Sequence, residues 1–527
     1  MGVKGLWAEC KPVAQTKSLI DWAVEESIRL NGRQPVLGID ANNLLDSVIA
    51  ASSKRERFHT DGIVGSLLAS ILPYTNIPAI LLFVFDGHRN FKVKSGKKVI
   101  NKNIATYSTA RQLIQAVGGY ILNGPGEADV QLAALSQQGI VDAVISDDSD
   151  MIVHGVDQVL RYDKEKTKNT KRIFVQAYHF SDVRKHLDAD HTGLLLIATL
   201  SGNSYAEGLR GCSIKTALEL AHCGFGETLV AWYKSDPKLT LDKLGGWKKG
   251  VKFELETNST SRLSSRHPAI ASRIHAFSPL NALSGYLYPA RLPSYTRIDH
   301  YKAMTPTPAA LEAYSFIKHG FSVDSLDEES RPGNAVALVP KEVSIPMVRD
   351  FCMTYLHWNE DTIVQYLSKK LWTGVIIQML CLPFLIYSEL DTGNPRMPSM
   401  MYTPWHKVQF LSFPKKRKEE KYPCSNMAYI RIVFGIEDFL QRLKMGTPEL
   451  AFNEDTALHE VEVWVPVQFL PWMLPNNKAT DEEEVIRSGL SSEREREATA
   501  YNSDTIEVED DITYLYTQHP DTNYITF

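Results

Sequence analysis

Residues 121–150 read ILNGPGEADVQLAALSQQGIVDAVISDDSD, and their pattern predicts a turn, a helix and a strand in succession. The Gly-Pro-Gly triplet at 124–126 predicts the turn, and the small and apolar residues of 128–135 predict the helix. The apolar residues of 141–145 predict a buried strand, and acids follow it at Asp147, Asp148 and Asp150. In open α/β sheets, ligands bind at the carboxyl ends of the strands. The pattern therefore predicts an α/β sheet with an acidic site at one edge.

The acids of this stretch predict a metal site. Glu127 and Asp129 begin the helix, Asp148 and Asp150 follow the strand, and both groups can converge on one point. Carboxylates brought that close repel one another and raise each other's pKa unless a cation neutralises them. Oxygen-only ligands suit Mg²⁺ or Mn²⁺. The alternative is a solvated turn, but these acids follow an apolar strand without basic partners nearby in the sequence.

Length and composition indicate an ordinary globular protein of two or three domains. The 527 residues are 44% hydrophobic and 23% charged, with a formal net charge of -5. That charge does not exclude a nucleic-acid binder, because an acidic tail can mask basic patches elsewhere. The six cysteines show no CxxC spacing, so neither a disulfide framework nor a zinc site is expected.

Secretion or membrane insertion is not expected from the sequence. The N-terminus lacks a signal-peptide pattern. The most apolar run, residues 374–387, is too short to span a bilayer and contains Pro383. These features predict an intracellular, reduced protein with no membrane partner.

Two earlier predicted strands also end in acids. Residues 36–39 lead into Asp40 and residues 77–85 lead into Asp86; a helical pattern at 18–29 precedes the first strand, and one at 62–74 separates the two. An Asp after a strand is often the N-cap of the next helix, but three such strand ends make capping alone a poor explanation. Alternating strands and helices of this kind predict a parallel sheet whose strand ends build one site.

Five motifs in this order resemble the XPG/flap endonuclease family. They are MGVKGLW at 1–7, GIDANNLL at 38–45, FVFDG at 83–87, GPGEADVQLA at 124–133 and VISDDSD at 144–150. The SDDSD form and the extra C-terminal region resemble the family's GEN/Yen branch, the Holliday-junction resolvases. The resemblance covers roughly the first 300 residues well and the remainder loosely. It implies a PIN-like α/β nuclease domain with a parallel central sheet and a helix-turn-helix-type DNA-binding segment.

The resemblance also implies the catalytic, metal-binding carboxylates, which are Asp40, Asp86, Glu127, Asp129, Asp148 and Asp150. Asp129 stands where the family usually has Glu, which is one methylene longer. In a two-metal scheme, one Mg²⁺ or Mn²⁺ ion generates the attacking hydroxide and the other stabilises the leaving oxygen. Gly2 resembles the family's terminal glycine, which packs near the site and leaves room for DNA.

A basic run lies between Asp86 and the predicted helix near Ala110. It contributes the predicted DNA contacts Lys92, Lys94, Lys97, Lys98 and Lys102. A lone charge run is usually a solvated loop, but a run directly after a metal-site strand favours phosphate contact. The run also matches the position of the family's gateway basic residues. It is shorter than the arch of flap endonucleases, so threading of a free 5′ end is not expected.

The chain departs from the family pattern in residues 200–213, LSGNSYAEGLRGCS. Ser204 stands in place of the last metal-ligating Asp. A hydroxyl is a neutral and weaker ligand, so we expect one firmly bound divalent ion and a second, weaker one. Rescue through a water or through Glu207 is left open.

The loop at 211–213 departs as well, because Gly-Cys-Ser replaces the family's Gly-Ile-Gly. In the family, backbone amides of this loop and a monovalent cation hold duplex phosphate at a helix start. Ser213 is predicted to cap a helix at 214–222, and Lys215 keeps a positive charge there. Gly211, Ser213 and Lys215 are therefore expected DNA contacts, and a monovalent cation at 211–215 is left open.

Composition changes along the chain suggest further units. The predicted boundaries are 1–110 and 111–300 for the two parts of the nuclease domain, 301–400 for a helical extension, 401–475 for a small β-rich module and 476–527 for an acidic, disordered tail. Within the nuclease part, the glycine-rich residues 245–250 and residues 258–266 are predicted loops. The extension is predicted to contain helices at 346–357 and 362–370.

Alternating polar and apolar residues predict strands at 405–413, 428–434 and 459–465, with a helix at 436–443. This module resembles the chromodomain-like element of fungal GEN-type resolvases, although a plain β extension is equally consistent with it. Between its strands, residues 414–418 read PKKRK. Lys415, Lys416, Arg417 and Lys418 predict nuclear import, and hence a nuclear location.

The leading functional hypothesis is a Mg²⁺-dependent, structure-selective endonuclease acting on flapped or branched DNA in repair or recombination. The alternative is a weakened or inactive relative that binds nucleic acid or acts as a scaffold, because Ser204 replaces a metal ligand. An RNA-directed nuclease is less consistent with the sequence, since no motif in it indicates recognition of the ribose 2′-hydroxyl. A phosphatase is also less consistent, because no nucleophile motif accompanies the acids. The sequence leaves open the branch geometry, the polarity of cutting and whether a homodimer forms on four-way junctions.

Overall fold

The structure is a computed structural model. It describes residues 2–53, 60–87, 93–94, 97–98, 104–170, 172–235, 241–289, 296–297, 335–336, 338, 340–381, 386–387, 400–402, 406–412, 429–444 and 459–466. Lys92, Lys102, the PKKRK run and the predicted acidic tail lie outside these ranges. No helix within them is long and apolar enough to cross a lipid bilayer.

A seven-stranded sheet in the order β1-β9-β8-β7-β2-β3-β6 organises the N-terminal half. The strands of this half are Gln15–Ser18 (β1), Val36–Asp40 (β2), Ile80–Phe85 (β3), Val93–Lys94 (β4), Lys97–Lys98 (β5), Tyr120–Asn123 (β6), Ala143–Ile145 (β7), Gln158–Tyr162 (β8) and Phe174–His179 (β9). The strands from β8 to β6 run parallel, which confirms the predicted parallel centre. At the other edge β9 pairs antiparallel with both β8 and β1. The sheet is therefore mixed rather than purely parallel.

Helices flank the sheet, and those that follow it share an apolar core with its strands. They are Leu6–Cys10 (α1), Leu19–Arg29 (α2), Ala41–Ser53 (α3), Thr60–Ile71 (α4), Ile104–Ala116 (α5), Ala128–Gln137 (α6), Asp150–Val153 (α7), Lys164–Thr170 (α8), Phe180–Leu187 (α9), His191–Ser201 (α10), Ile214–His222 (α11), Phe225–Ser235 (α12), Leu241–Thr257 (α13), Pro268–Ala271 (α14) and Leu280–Leu287 (α15). Ser213 caps α11 as expected, because its Oγ accepts a hydrogen bond from the Thr216 amide at 3.1 Å.

The predicted loop at 245–250 is wrong, because these residues lie inside α13. Glycine lowers helix propensity by about 1 kcal/mol per residue, which is the reason for expecting a loop. However, Leu244, Trp247, Val251 and Leu255 recur at helical spacing and are all buried. Burial of this apolar face outweighs the propensity cost of the glycines. Residues 258–266 form the predicted loop.

The C-terminal half adds helices Ile345–Leu356 (α16), Glu360–Lys370 (α17), Trp372–Leu380 (α18) and Glu437–Lys444 (α19). Its strands are Thr296–Arg297 (β10), Ala335–Val336 (β11), Ile386–Tyr387 (β12), Met400–Tyr402 (β13), Lys407–Ser412 (β14), Tyr429–Gly435 (β15) and Glu460–Pro466 (β16). The last five form an antiparallel sheet in chain order. One apolar core contains Phe83 of the first sheet, Trp372 of α18 and Phe434 of β15. The helical extension and the β-rich module are thus packed on the nuclease-like body, and the module's likeness to a chromodomain stays a prediction.

The contact between α18 and residues 72–76 is close enough to require a glycine. The side-chain amide of Gln378 donates to the carbonyls of Thr75 and Ile77 at 3.0 and 2.6 Å. A Cβ on Gly374 would lie 2.1 Å from Thr75 Oγ1. Thr75 is itself buried, so it has no space to retreat.

We expect Gly374→Ala to destabilise the protein by about 1–3 kcal/mol, because the added methyl overpacks this contact. The matched control is Gly245→Ala, since Gly245 is also helical but a Cβ there meets no atom within 4 Å. The control should stabilise α13 by about 0.5–1 kcal/mol through helix propensity. Urea denaturation followed by circular dichroism measures both, and equal midpoints for the two variants would contradict the expected contact.

Candidate functional site

Four neighbouring parallel strands, in the order β7-β2-β3-β6, end at the same edge of the central sheet. Asp40 ends β2, and Asp86 comes directly after β3. Glu127 is the N-cap residue of α6, which follows β6, and Asp148 and Asp150 follow β7. Asp129 lies in the first turn of α6. The structure therefore brings all six sequence-predicted carboxylates to one edge.

One group of carboxylates consists of Asp40, Asp86 and Asp129. Asp40 Oδ1 accepts a hydrogen bond from the Asn43 amide at 2.9 Å, and the Asp129 side chain is within hydrogen-bonding reach of Asp40. Asp86 Oδ1 accepts from the Ala128 amide at 2.9 Å, which ties the end of β3 to the start of α6. Desolvation, and then the charge of Asp86, raise the pKa of Asp40 above its ordinary value. Such a group is electrostatically unfavourable without a cation.

A second group consists of Asp148 and Asp150, both buried. The Asp150 amide donates to Asp148 Oδ1 at 2.9 Å, so the two acids share a tight turn. Tyr286 Oη donates to Asp150 Oδ1 at 2.8 Å, and the hydroxyl and amide of Ser204 also hydrogen-bond to Asp150. Desolvation and then Asp148 raise the pKa of Asp150, while the hydrogen bonds from Ser204 and Tyr286 act in the opposite direction.

Two tyrosines beneath the carboxylates were not predicted. Tyr205 Oη donates to Glu127 Oε2 at 3.0 Å, and its ring packs edge-on against Tyr286 at 5.1 Å. The His154 ring lies 4.9 Å from the Tyr286 ring. Burial, and then the neighbouring acids, raise the pKa of both phenols well above the ordinary value, so both stay protonated donors at neutral pH. Tyr205 directly follows Ser204 and offered a sequence signal, whereas Tyr286 lies 136 residues from Asp150 and offered none.

The N-terminal segment packs directly against the second acid group. Gly2 adopts a φ of +83°, and a Cβ there would lie 2.1 Å from Asp148 Oδ1 and 2.8 Å from the Asp150 amide. Ser149 Oγ donates to the carbonyl of Val3 at 3.2 Å. The placement of this segment at the site agrees with its expected role, although a DNA contact by Gly2 stays a prediction.

Asp147 differs from the other acids of the run because its carboxylate is paired with basic side chains. Lys164 Nζ lies 2.8 Å from its carboxylate and Arg161 Nε lies 3.6 Å away. The Trp7 indole donates to its carbonyl at 2.9 Å, and the Arg161 guanidinium stacks over the Trp7 ring. No basic residue is close to Asp147 in the sequence, but β8 and α8 bring two cations to it in the fold.

The predicted DNA contacts are placed only in part. The backbones of Lys94, Lys97 and Lys98 lie in the two short strands β4 and β5, where Lys94 pairs with Lys97. Lys92 and Lys102 lie outside the described residues. Lys215 is exposed in the first turn of α11.

The loop before α11 lies close to the N-terminal segment. Gly211 has a φ of +89°, and the Ile214 side chain would contact a Cβ on Gly5 at 3.1 Å. Arg273 Nη1 donates to the carbonyl of Arg210 at 3.2 Å, so a guanidinium already lies beside this loop. A monovalent cation at 211–215 stays a prediction.

The donor set fits a hard divalent cation, since the six converging side chains offer only carboxylate oxygens. Within the described ranges, no three Asp, Glu, His or Cys side chains already enclose a single point where an ion would sit. This does not exclude Mg²⁺, which is usually held by one or two carboxylates together with waters and substrate phosphate rather than by an all-protein cage.

Comparison with known proteins locates the similarity in this part of the chain. Residues 120–204 match the XPG I-region, which includes four of the six carboxylates and Ser204. The DNA repair protein RAD2 of Saccharomyces cerevisiae is 28% identical over 126 residues, which are 24% of this chain and 12% of that protein. Flap endonuclease GEN-like 1 of Arabidopsis thaliana is 33% identical over 110 residues, which are 21% of this chain and 18% of that protein. The matched segment thus spans a minor part of these relatives.

The similarity of the fold extends further than that of the sequence. A crystal structure of the Holliday junction-resolving enzyme GEN1 with product DNA and Mg²⁺ superposes with a TM-score of 0.62. The match covers 95% of this chain and 100% of that one, at 20% identity. It therefore supports the predicted PIN-like α/β fold. The chain is therefore similar to XPG/flap endonucleases in sequence over the I-region, where the carboxylate cluster lies, and to GEN1 in fold.

Proposed function

We propose that the chain is a structure-selective DNA endonuclease that requires a divalent cation and cleaves branched DNA. The observation that carries the proposal is the convergence of six carboxylates at the ends of four adjacent parallel strands. Burial and the neighbouring charge of Asp86 disfavour the ionised form of Asp40 in the absence of a cation. Similarity to a nuclease family and the oxygen-only donor set support the same conclusion.

Asp40, Asp86, Glu127 and Asp129 would hold the ion, and Asp148 and Asp150 form the second acid group at the same edge of the sheet. A bound Mg²⁺ would supply Lewis acidity and a nucleophilic water at neutral pH. The chain's own part is to orient these carboxylates: backbone amides of Asn43 and Ala128 hold Asp40 and Asp86. The phenol of Tyr205 holds Glu127. Groups fixed in advance in this way lose little freedom when substrate binds.

The proposal also includes the DNA contacts, the preferred substrate, the oligomeric state and the cellular location. The lysines around β4 and β5 and Lys215 at α11 would contact DNA phosphates, as basic residues near a nuclease site do. GEN1, whose fold the chain shares, is a Holliday junction-resolving enzyme, which supports junctions rather than flaps as the substrate. We also propose that a homodimer forms on four-way junctions. Residues 415–418 would direct nuclear import, which a nuclease acting on chromosomal DNA requires.

The decisive test is cleavage of labelled 5′-flap and four-way-junction DNA by the full-length protein, with Mg²⁺, Mn²⁺ or EDTA. We expect nicking that requires the cation and that exceeds nicking of linear duplex of the same sequence. Equal cleavage of branched and linear DNA would refute the structural selectivity, and cleavage in EDTA would refute the metal requirement.

A second candidate function is DNA binding without cleavage. Ser204 favours it, because this hydroxyl stands where a further carboxylate is expected and bonds to Asp150 instead. Junction binding without nicking by the native chain, with nicking restored in Ser204→Asp, would establish this alternative.

The fit of Gly2 against Asp148 leads to a separate prediction. Gly2→Ala should lower cleavage by about 10- to 100-fold, because displacing a catalytic group by an ångström has an effect of that size. Gly32→Ala is the matched control, since Gly32 also has a positive φ of +82° but a Cβ there meets nothing within 4 Å. Single-turnover rates on junction DNA measure the effect. Equal rates in the two variants would show that the Gly2 contact does not shape the site.

A further inference from the structure

Asp150 is held by two hydroxyl groups from distant parts of the chain. Tyr286 of α15 donates to its Oδ1 at 2.8 Å. Ser204, in the loop after α10, bonds to the same carboxylate through its hydroxyl and its amide. Asp150 and Tyr286 are each 3% exposed, so water does not replace these donors.

The other carboxylate group is held differently. Asp40 and Asp86 accept hydrogen bonds from the backbone amides of Asn43 and Ala128, at 2.9 Å each. The backbone amides of Asn42 and Asn43 and the side chain of Asp129 hydrogen-bond to Asp40. Each amide takes one lone pair of a carboxylate and leaves the carboxylate's other lone pairs available to a cation.

The Asp150 side is poorer in charge, and two of its hydrogen-bond donors are side-chain hydroxyls. Ser204 brings no charge, so Asp148 and Asp150 face a cation with two carboxylates instead of three. Tyr286 and Ser204 both direct hydrogen atoms at Asp150, and a metal bound there would have to displace donors buried beside it. Hydrogen bonds to a charged acceptor are the stronger ones, so this displacement is unfavourable.

We propose that Tyr286 is a positioning residue which, together with Ser204, keeps Asp150 as a hydrogen-bond acceptor, so that the centre takes one divalent ion, on the Asp40 side. The inference rests on the proposed metal-dependent function and defines how many divalent ions the site binds. The hydroxyl pair stabilises two buried carboxylates without a second ion. The ion on the Asp40 side, together with the bound phosphate, then carries the charge compensation at the site.

The test is the number of Mn²⁺ ions bound by the full-length protein without DNA, measured by electron paramagnetic resonance. The wild type should bind one ion with the spectrum of an isolated Mn²⁺. The double variant Ser204→Asp/Tyr286→Phe should bind two, with the spectrum of an exchange-coupled pair. Ser204→Asp alone should bind its second ion at least about tenfold more weakly than the double variant, because Tyr286 still bonds to Asp150.

Tyr288→Phe in the Ser204→Asp background is the matched control. Tyr288 lies two residues after Tyr286, is 52% exposed and packs on Tyr233 rather than on an acid. It should leave the affinity of the second ion unchanged. Because the expected change is a gain of binding, a misfolded variant cannot imitate it.

The outcomes separate this inference from the proposed function. Two coupled Mn²⁺ ions on the wild type would overturn the inference and leave the metal-dependent nuclease intact. Equal second-ion affinity with and without Tyr286→Phe would overturn the role of Tyr286. A wild type that binds no Mn²⁺ at millimolar concentration, with junction DNA present as well as without it, would overturn the metal-dependent nuclease itself, and the inference with it.

Discussion

Asp40→Asn is expected to lower metal-dependent cleavage of junction DNA by about three orders of magnitude, an effect of the size seen when a key electrostatic group is removed. The substitution removes one charge from the group formed with Asp86 and Asp129. The carbonyl oxygen of asparagine can still accept the hydrogen bond that the Asn43 amide donates to Asp40. The loss should therefore arise from weaker cation binding rather than from unfolding. Single-turnover cleavage in a Mg²⁺ titration measures it.

The control for Asp40→Asn is Asp147→Asn. Asp147 belongs to the same acidic run as Asp148 and Asp150, but its carboxylate pairs with Lys164 and Arg161. We expect this variant to retain cleavage within a few-fold of the wild type. An equally large loss in both variants would mean that total acidity, rather than the convergence of particular carboxylates, supports the reaction.

Asp40→Asn should also change the pH dependence of stability, measured without divalent cations. The folded-state pKa of Asp40 is raised from 3.8 to about 6, so its ionisation opposes folding. Its contribution to stability is complete below pH 3.8 and is lost as the pH rises through the raised value. The variant should therefore gain thermal stability relative to the wild type between these pH values and keep the gain at pH 7. A constant difference in melting temperature across this range would contradict the shift.

Arg33→Met is expected to lower the free energy of unfolding by about 3–5 kcal/mol, because it leaves a buried charge without its partner. Arg33 donates to both carboxylate oxygens of Asp142, at 2.9 and 2.7 Å, and both side chains are over 90% buried. Asp142 also accepts from the Val36 amide at 2.7 Å, so the pair joins the start of β2 to the segment before β7. Methionine keeps much of the volume of the arginine side chain, so the substitution mainly removes the positive charge.

Lys17→Ala provides the comparison for Arg33→Met. Lys17 pairs with Glu25, whose side chain is 41% exposed, and exposed pairs contribute less than about 1 kcal/mol. Urea denaturation midpoints of the two variants test the difference. Similar midpoints would show that the Arg33–Asp142 pair stabilises the sheet no more than a surface ion pair does.

The sequence alone determined the central strands and the acids that follow them. Apolar runs ending in Asp40, Asp86 and the acids after Ile145 are local signals, and parallel strands bring their carboxyl ends to one edge. The cap at Ser213 is likewise local, since a hydroxyl and an amide three residues away make it. For these features the interacting groups are either close in sequence or lie at the ends of parallel strands, which the strand pattern itself predicts.

Only the tertiary structure decided which acids of the SDDSD run face the site and what holds them. Asp147 is diverted by cations from β8 and α8, and Asp150 receives a phenol from 136 residues away. Such partners are chosen by packing, because residues far apart in sequence become neighbours only when helices and sheet bury a common core. The same reason explains α13, where burial of an apolar face overrides the glycines at 245 and 246.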